Sequence, residues 1–457
     1  MGTPTYRLLL TFSILILIGT IALQMPGTAH PAHEINWIDS LFTSTSAVCV
    51  TGLTVTDTGT SFTLGGQLII LILIQAGGLG MLTISNWIFL TLYRRPVSLE
   101  GRMVLEETHG TLTSVEPSAL LRRIIRFTAV SEGIGAVVLF FRFLDVHPAP
   151  QALWMAVFHS VSAFCNAGFS LYPDSLMGFR DDLVVNLTVM ALILVGGIGF
   201  VVCTDVTSVI HNLLHKRWKR LASVWARMTL HTKVVLATTG ILLLAGTSVV
   251  FVFEGHNILR DVPWYRRILP SMFLSFTSRT AGFNTLDTAE LTNVTLLTLL
   301  FLMAVGASPG STGGGMKTTT LAIILAMARA RVLNRPRIEM FKRSIPGDLV
   351  AKAVATAAAF VVLIMISVVA LEYIEFGFAS HRATQGQVLD LLFEATSALG
   401  TVGLSVGVTP TLKPASRLVL VAIMFVGRVG PLAVAGSLIG QRRPLRYSLP
   451  EERLIVG

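Results

Sequence analysis

The chain has 457 residues, 53% of them hydrophobic and only 13% charged. Soluble domains carry about 25% charged residues, so a water-soluble enzyme or regulator is excluded and an integral membrane protein is indicated. The net charge of +10 is no nucleic-acid signature, because the basic residues sit between apolar spans in alternate loops. The expected surroundings are a lipid bilayer, with no nucleic acid as partner.

The apolar stretches follow helical rather than alternating periodicity, which predicts an all-α membrane protein. Repeat one predicts an outer helix at about 6–25, a short pore helix at 37–49 and an inner helix at 64–93. Residues 8–25, following Arg7, also have the outline of a signal peptide, but they stand where the first repeat needs its outer helix. Repeat two predicts helices at 118–143, 152–164 and 183–213. Repeat three predicts 231–253, 264–278 and 291–330. Repeat four predicts 350–374, 386–399 and 416–439. The second run of each set has only 12–15 residues, too short for a bilayer that needs about 20. It is expected to enter and return. The whole chain, 1–457, then reads as one membrane domain of four tandem helix–pore-loop–helix repeats (6–93, 118–213, 231–330, 350–439) around one central pore. That makes eight transmembrane helices, followed by a cytoplasmic tail at 440–457.

A glycine loop follows each short helix. The copies are Val50-Thr51-Gly52-Leu53, Asn166-Ala167-Gly168-Phe169, Thr280-Ala281-Gly282-Phe283 and Thr401-Val402-Gly403-Leu404, with glycines 116, 114 and 121 residues apart. The preceding runs start at Phe42, Phe158, Phe273 and Phe393. Three of them place a serine six residues before the glycine (Ser46, Ser162, Ser397), whereas the third has Phe276 and then Thr277. Glycine opens backbone angles that let carbonyls turn to one side, and four such loops on one axis make a ring of oxygens able to replace the water shell of a monovalent cation. The competing reading, a glycine that only caps a short helix, suits one such loop better than four at one period. Asp57, Asp174 and Asp287 follow the glycines by five or six residues. They are read either as an outer mouth that concentrates cations or as caps of the next helices. Repeat four has Val408 and Thr409 there instead.

The inner helices carry a second matched feature: Gly77-Gly78-Leu79-Gly80, Gly196-Gly197-Ile198-Gly199 and Gly427-Arg428-Val429-Gly430-Pro431. Close packing or kinking accounts for the first two. Repeat three has the longest version, Gly306, Ala307, Ser308, Pro309, Gly310, Ser311, Thr312, Gly313, Gly314, Gly315, Met316 and Lys317. Five glycines and a proline in ten residues cannot continue a straight helix. An irregular loop at membrane depth is tolerable only where it lines a cavity or is buried in protein, so this segment is predicted to be a gate below the filter. Arg428 is expected at the level of that loop, bonding its carbonyls or opposing cations. Two readings stand for Lys317 and Arg428: a charge facing the cavity or a helix-end residue snorkelling to the interface.

The side taken as cytoplasmic carries 24 of the 35 Lys and Arg residues, which places both termini inside the cell. Cys49, Cys165 and Cys203 form no disulfide framework and read as buried packing residues. The run from Gly310 to Thr318 is not a phosphate loop, because Ser311 and Met316 stand where its glycines belong. His211 and His215 have metal-ligand spacing but sit beside Lys216 and Arg217 at a helix end. No catalytic set stands out, and an enzyme is not predicted.

These residues resemble the Ktr/Trk/HKT superfamily of potassium transporters, most closely the membrane subunit of bacterial Ktr systems. The resemblance spans essentially the whole chain. It rests on the four glycine loops (the third including Arg279), on the loop ending in Met316-Lys317, and on Gly427-Arg428-Val429-Gly430-Pro431. That last motif, and the absence of extra helices before the first repeat, favour Ktr over Trk. The resemblance implies gated, passive potassium uptake across a bacterial inner membrane, often with sodium as activator. It implies a homodimer with one pore per subunit, and a cytosolic ring of regulatory subunits that binds ATP or ADP and moves the gate. The basic loops at 94–126, 216–233 and 329–352 are the surfaces expected to meet that ring. Glycine at all four filter positions leans to potassium over the alternative, a sodium-permeable or Trk-type relative.

Overall fold

The computed structural model describes residues 4–93 except 33, 117–214, 225, 227–432 except 381, and 434. The predicted tail at 440–457, the basic stretches 94–116 and 216–224, and His215 lie outside the described residues.

Apolar runs in a bilayer must satisfy their own backbone groups, and helices do so locally. The chain begins with α1 (Pro4–Leu23), the short α2 (Trp37–Val48), the one-turn α3 (Thr58–Ser61) and α4 (Leu64–Tyr93). It continues with α5 (Pro117–Phe143), α6 (Ala149–Cys165), α7 (Leu183–Gly197) and α8 (Phe200–Leu214). Then come α9 (Leu230–Glu254), α10 (Trp264–Thr277), α11 (Asn293–Ala304) and α12 (Thr318–Val332), and finally α13 (Gly347–Phe376), α14 (Gln387–Gly400) and α15 (Pro414–Val429). Helices α5, α9 and α13 each contain a stretch long and apolar enough to cross a membrane unaided. Helices α7 and α8 qualify as a pair, and shorter apolar helices cover Leu8–Leu23, Leu64–Gly80 and Asn293–Ala304.

Three inner helices are broken, and in the second and third the breaks fall at the glycine clusters read from the sequence as sites of kinking or interruption. The one expected at 183–213 bends by 107° between α7 and α8. Gly199 takes φ +93° there, and the Phe200 N–H, lost to the helix ladder, donates to the Gly310 carbonyl at 3.1 Å. The helix expected at 291–330 is interrupted from Val305 to Lys317. The fourth, expected over 416–439, breaks after Val429, where Gly430 adopts φ +99°; Pro431, Leu432 and Val434 are helical again, and 435–439 lie outside the described residues. The all-helical expectation also has an exception, a two-residue hairpin pairing Glu339 with Ser344 and Met340 with Arg343. Its turn residues Phe341 and Lys342 have positive φ.

The short helices α2, α6, α10 and α14 form the centre. Their phenylalanines Phe42, Phe158, Phe273 and Phe393 are all 0% exposed. The inner-helix glycines fit against the ends of these helices. A side chain at Gly77, Gly196 or Gly427 would collide with the carbonyl of Val48, Phe164 or Leu399 respectively. In each case that carbonyl lies four residues before the loop glycine, so three matched sequence features become one repeated contact.

Candidate pore and gate

Each short helix is ended by a residue two before the loop glycine that turns left-handed: Val50 at φ 54°, Asn166 at 60°, Thr280 at 71° and Thr401 at 49°. The glycines themselves follow at φ +92°, +71°, +78° and +93°. The capping role weighed for glycine thus falls to another residue. Three of those four residues are β-branched, and a non-glycine in this region costs on the order of 1–3 kcal/mol. The surrounding contacts hold them there. Thr51, Ala167 and Val402 N–H groups donate to the Ser46, Ser162 and Ser397 carbonyls, each at 2.8 Å. The Ser46 and Ser397 hydroxyls accept from the Gly52 and Gly403 N–H at 3.0 and 3.1 Å, and Ser162 donates to the Phe169 carbonyl at 2.8 Å. In the third loop, Ala281 and Gly282 both donate to the Thr277 carbonyl, at 2.9 and 3.3 Å. Counted from the buried phenylalanine, Thr277 is the serine's counterpart, and the loop after it is one residue shorter.

The four loops meet in a closed ring. A β-carbon added at Gly52 would strike the carbonyl oxygen of Ala167, one at Gly168 that of Ala281, one at Gly282 that of Val402, and one at Gly403 that of Thr51. The same added atoms would lie 3.0, 3.0, 3.1 and 3.0 Å from the Cα of the next loop's glycine. Each loop therefore presents its glycine to the next, and the fourth returns to the first. Only glycine permits both the φ and the approach. The hydroxyls of Thr51 and Thr401 are buried and have no protein hydrogen-bond partner.

On one side the ring opens into a cavity of about 270 Å³, lined by all four glycines and by Asp57, Asp174 and Asp287. Two of these acids also cap the turns that follow: Asp57 accepts from the Thr60 N–H at 2.7 Å and Asp287 from the Ala289 N–H at 3.0 Å. Tyr172 shares the cavity wall. Burial, with Asp174 adding, pushes its phenol up to about 12.

On the other side, the segment from Val305 to Lys317 is packed against the loops. Gly313 lies against the Thr280 hydroxyl and Gly314 against that of Thr401. The backbone is tied to the broken second inner helix: Ser308 N–H donates to the Gly197 carbonyl at 3.0 Å and Thr312 N–H to that of Gly196 at 3.2 Å. The Thr312 hydroxyl donates to the Phe164 carbonyl at 3.2 Å. Gly306 packs on Gly314 and Gly315, and Ala307 N–H donates to the Gly314 carbonyl at 3.2 Å. Pro309, Gly310 and Ser311 turn the far end, where Ser311 donates to the Ser308 carbonyl at 2.6 Å.

Three basic side chains grip this segment. Arg428, 1% exposed, donates to the Thr312 carbonyl and, at 2.9 Å, to that of Gly77. Lys317 turns back and donates to Gly313 and Gly314 at 2.8 and 3.3 Å, so it does not snorkel. Arg279 donates to the Gly306 carbonyl at 3.2 Å. Its position three before a loop glycine, at the end of a short buried helix, was the available signal that it lies deep. Among the described residues none of the three forms a salt bridge. Their partners are carbonyl oxygens, which charged donors bind strongly. The cysteines are all free and buried, and Gly78 packs against Cys165 Sγ at a distance that admits no side chain.

A family model described as TrkH, cation transport protein, matches residues 5–439. The chain is 36% identical over 464 residues to the Ktr system potassium uptake protein B of Bacillus subtilis, covering 100% of this chain and 97% of that protein. It is 35% identical to the potassium/sodium uptake protein NtpJ of Enterococcus hirae, again over 100% of this chain and 97% of that protein. Its fold is similar to the crystal structure of the potassium transporter TrkH from Vibrio parahaemolyticus, with a TM-score of 0.73 at 18% identity over 95% of this chain and 85% of that one.

Proposed function

The chain belongs to the TrkH family of cation transport proteins, and from that premise we propose that it mediates gated, passive potassium uptake through the ring of glycine loops. It is a membrane transporter and not an enzyme. The observation that carries the proposal is the ring itself, in which each loop's glycine abuts a carbonyl of the next loop. Such a ring offers a cation a cage of oxygens in place of water. The ion-binding residues in this reading are Val50, Thr51 and Gly52, then Asn166, Ala167 and Gly168, then Thr280, Ala281 and Gly282, then Thr401, Val402 and Gly403. The cavity with Asp57, Asp174 and Asp287 is the outer mouth.

The segment from Gly306 to Lys317 is the gate. Its contact with Thr280 and Thr401 of the glycine loops supports this reading, in which its three cationic ties oppose a cation that approaches while it is closed. Eight spans in four repeats surround the pore, with both termini in the cytoplasm of a bacterial cell. The names of two relatives as parts of a Ktr system support a separate cytosolic partner. We assign to it the nucleotide-binding ring, acting on a homodimer of this chain. A second reading, permeation of sodium, is favoured by the name of the potassium/sodium uptake relative.

The test is uptake of potassium and sodium in a bacterium lacking its own potassium uptake, comparing wild type with Gly403→Ser. Gly403 stands at φ +93° against the Thr51 carbonyl, so a side chain there must open the ring. Wild type is expected to restore growth on low potassium and the variant to lose its preference for potassium. If neither protein moves either ion with a cytosolic regulator present, the transport reading falls.

A further inference from the structure

The mouth acids are distributed unevenly along the chain. Three glycine loops carry their own, but the fourth has Val408 and Thr409 where Asp57, Asp174 and Asp287 stand in the others. Behind that fourth loop lies Glu394, 0% exposed, on the short helix α14. Its carboxylate accepts from Ser405 Oγ at 2.5 Å and from Thr409 Oγ1 at 2.6 Å, with the Val406 N–H as a third donor. The Ser405 hydroxyl is itself held by the Gly407 N–H at 2.9 Å, which leaves its proton for Glu394. Ser405 and Gly407 line the mouth cavity. A buried carboxylate therefore sits one residue's thickness behind the cavity wall. The charged group beside it is another acid, Asp390, and among the described residues it has no salt-bridge partner.

The register of this residue is informative. Glu394 directly follows the buried phenylalanine of its short helix, and the counterparts are Thr43, His159 and Leu274. His159 meets the equivalent serine, with Nε2 3.0 Å from Ser170 Oγ, so this position reaches the loop two residues past the glycine in both the second and fourth cases. It bears an acid only where the loop bears none. The partner hydroxyl, Thr409, opens the short helical turn Thr409–Thr411, as Asp57 and Asp287 precede the corresponding turns in their own loops.

We propose that Glu394 is the fourth acid of the outer mouth: from behind the wall, it supplies the negative charge that the fourth loop lacks and so sets the affinity for the entering cation. This rests on the transport reading given above. A charge in a low-dielectric wall is weakly screened and raises local cation concentration. Its removal should act on capture rather than on passage.

The experiment is potassium uptake by the full chain with its cytosolic regulator, in the same uptake-deficient strain, read as KM and maximal rate for amounts of membrane protein matched by blotting. Glu394→Gln keeps the shape and removes the charge. It is expected to raise KM on the order of three- to tenfold with the maximal rate within about twofold of wild type. Adding Val408→Asp to Glu394→Gln returns an acid to the position of Asp57 and Asp287 and is expected to restore KM. An unchanged KM in Glu394→Gln overturns the inference. So does a raised KM that Val408→Asp fails to restore, because a residue that only braces the loop would not be replaced by a charge elsewhere. If Glu394→Gln does not accumulate, the double variant is compared directly with wild type: an equal KM supports the inference and a raised one overturns it. No uptake by wild type overturns the transport reading and this inference together, whereas uptake by wild type with any of the other failures overturns this inference alone.

Discussion

Arg428 reaches two carbonyls that are far apart in sequence, Thr312 and Gly77, from a helix that belongs to neither. Its Nε has no partner, so the guanidinium is only partly satisfied and its burial is offset by those two charge-assisted bonds. Hydrogen bonds to charged groups are worth about 1.5–3 kcal/mol each. If they hold the gate closed, removing them shifts the balance toward open by at least tenfold, since tenfold corresponds to about 1.4 kcal/mol. Arg428→Gln is therefore expected to raise potassium flux in the absence of the activating partner by roughly that factor, measured as rubidium uptake into proteoliposomes. Unchanged flux would remove Arg428 from the gate. Arginine between an apolar run and a Gly-Pro pair was legible as a charge at membrane depth, and contact with the loop carbonyls was among its predicted partners. Gly77 was not, because nothing local connects positions 77 and 428.

At the scale of elements, the inner-helix glycines divide into those that pack and those that do not. Gly77 sits on the Val48 carbonyl, while a β-carbon at Gly80 would meet nothing within 4 Å. In sequence the two belong to one motif and look equivalent. Gly77→Ala is expected to lower thermal stability in detergent by roughly 1–3 kcal/mol, the cost of overpacking a filled site. Gly80→Ala is expected to leave it unchanged or raise it by up to about 1 kcal/mol through helix propensity. Equal effects would show that the glycine is needed for bending rather than for contact. The helices themselves were legible to within a few residues because apolar period and length are local properties. The bend of 107° between α7 and α8 was legible only as one of two readings of Gly196-Gly197-Ile198-Gly199, kinking or close packing; its size was not, since the Gly310 carbonyl that receives the freed Phe200 N–H comes from a segment over a hundred residues away.

For the whole molecule, the ends of the described chain are joined by one ion pair. Arg417, at the start of α15, meets Asp39 of α2 at 2.5 Å, with side chains 18% and 8% exposed. Arg417 also donates to the Leu412 and Pro410 carbonyls at 3.0 and 2.9 Å, so its fork is preorganised toward the acid. Asp39→Asn is expected to cost roughly 1–3 kcal/mol, read as a lower melting temperature in detergent. The pair Arg180–Asp181, at 3.5 Å and 36% and 49% exposed, should give no measurable change when Asp181 is replaced by Asn. Comparable losses from both would mean that closure of the fourth segment on the first contributes nothing special.

What the sequence by itself determined is what depends on neighbours along the chain. Helix lengths follow from apolar runs, the left-handed turns follow from four glycine loops at one period, and the break in the third inner helix follows from glycine and proline density. What only the tertiary structure decided is what depends on distant partners. These include the order in which the loops close the ring, the shorter third loop anchored on Thr277 instead of a serine, the deep position of Arg279, and the two bonds of Arg428. Glu394 belongs to the same group: nothing among its neighbours along the chain shows that Ser405 and Thr409 hold it. The physical reason is one of range. Backbone conformation is set by steric and hydrogen-bond terms within a few residues, whereas the placement of a buried charge is set by whichever oxygens and hydroxyls the packed helices bring within about 3 Å.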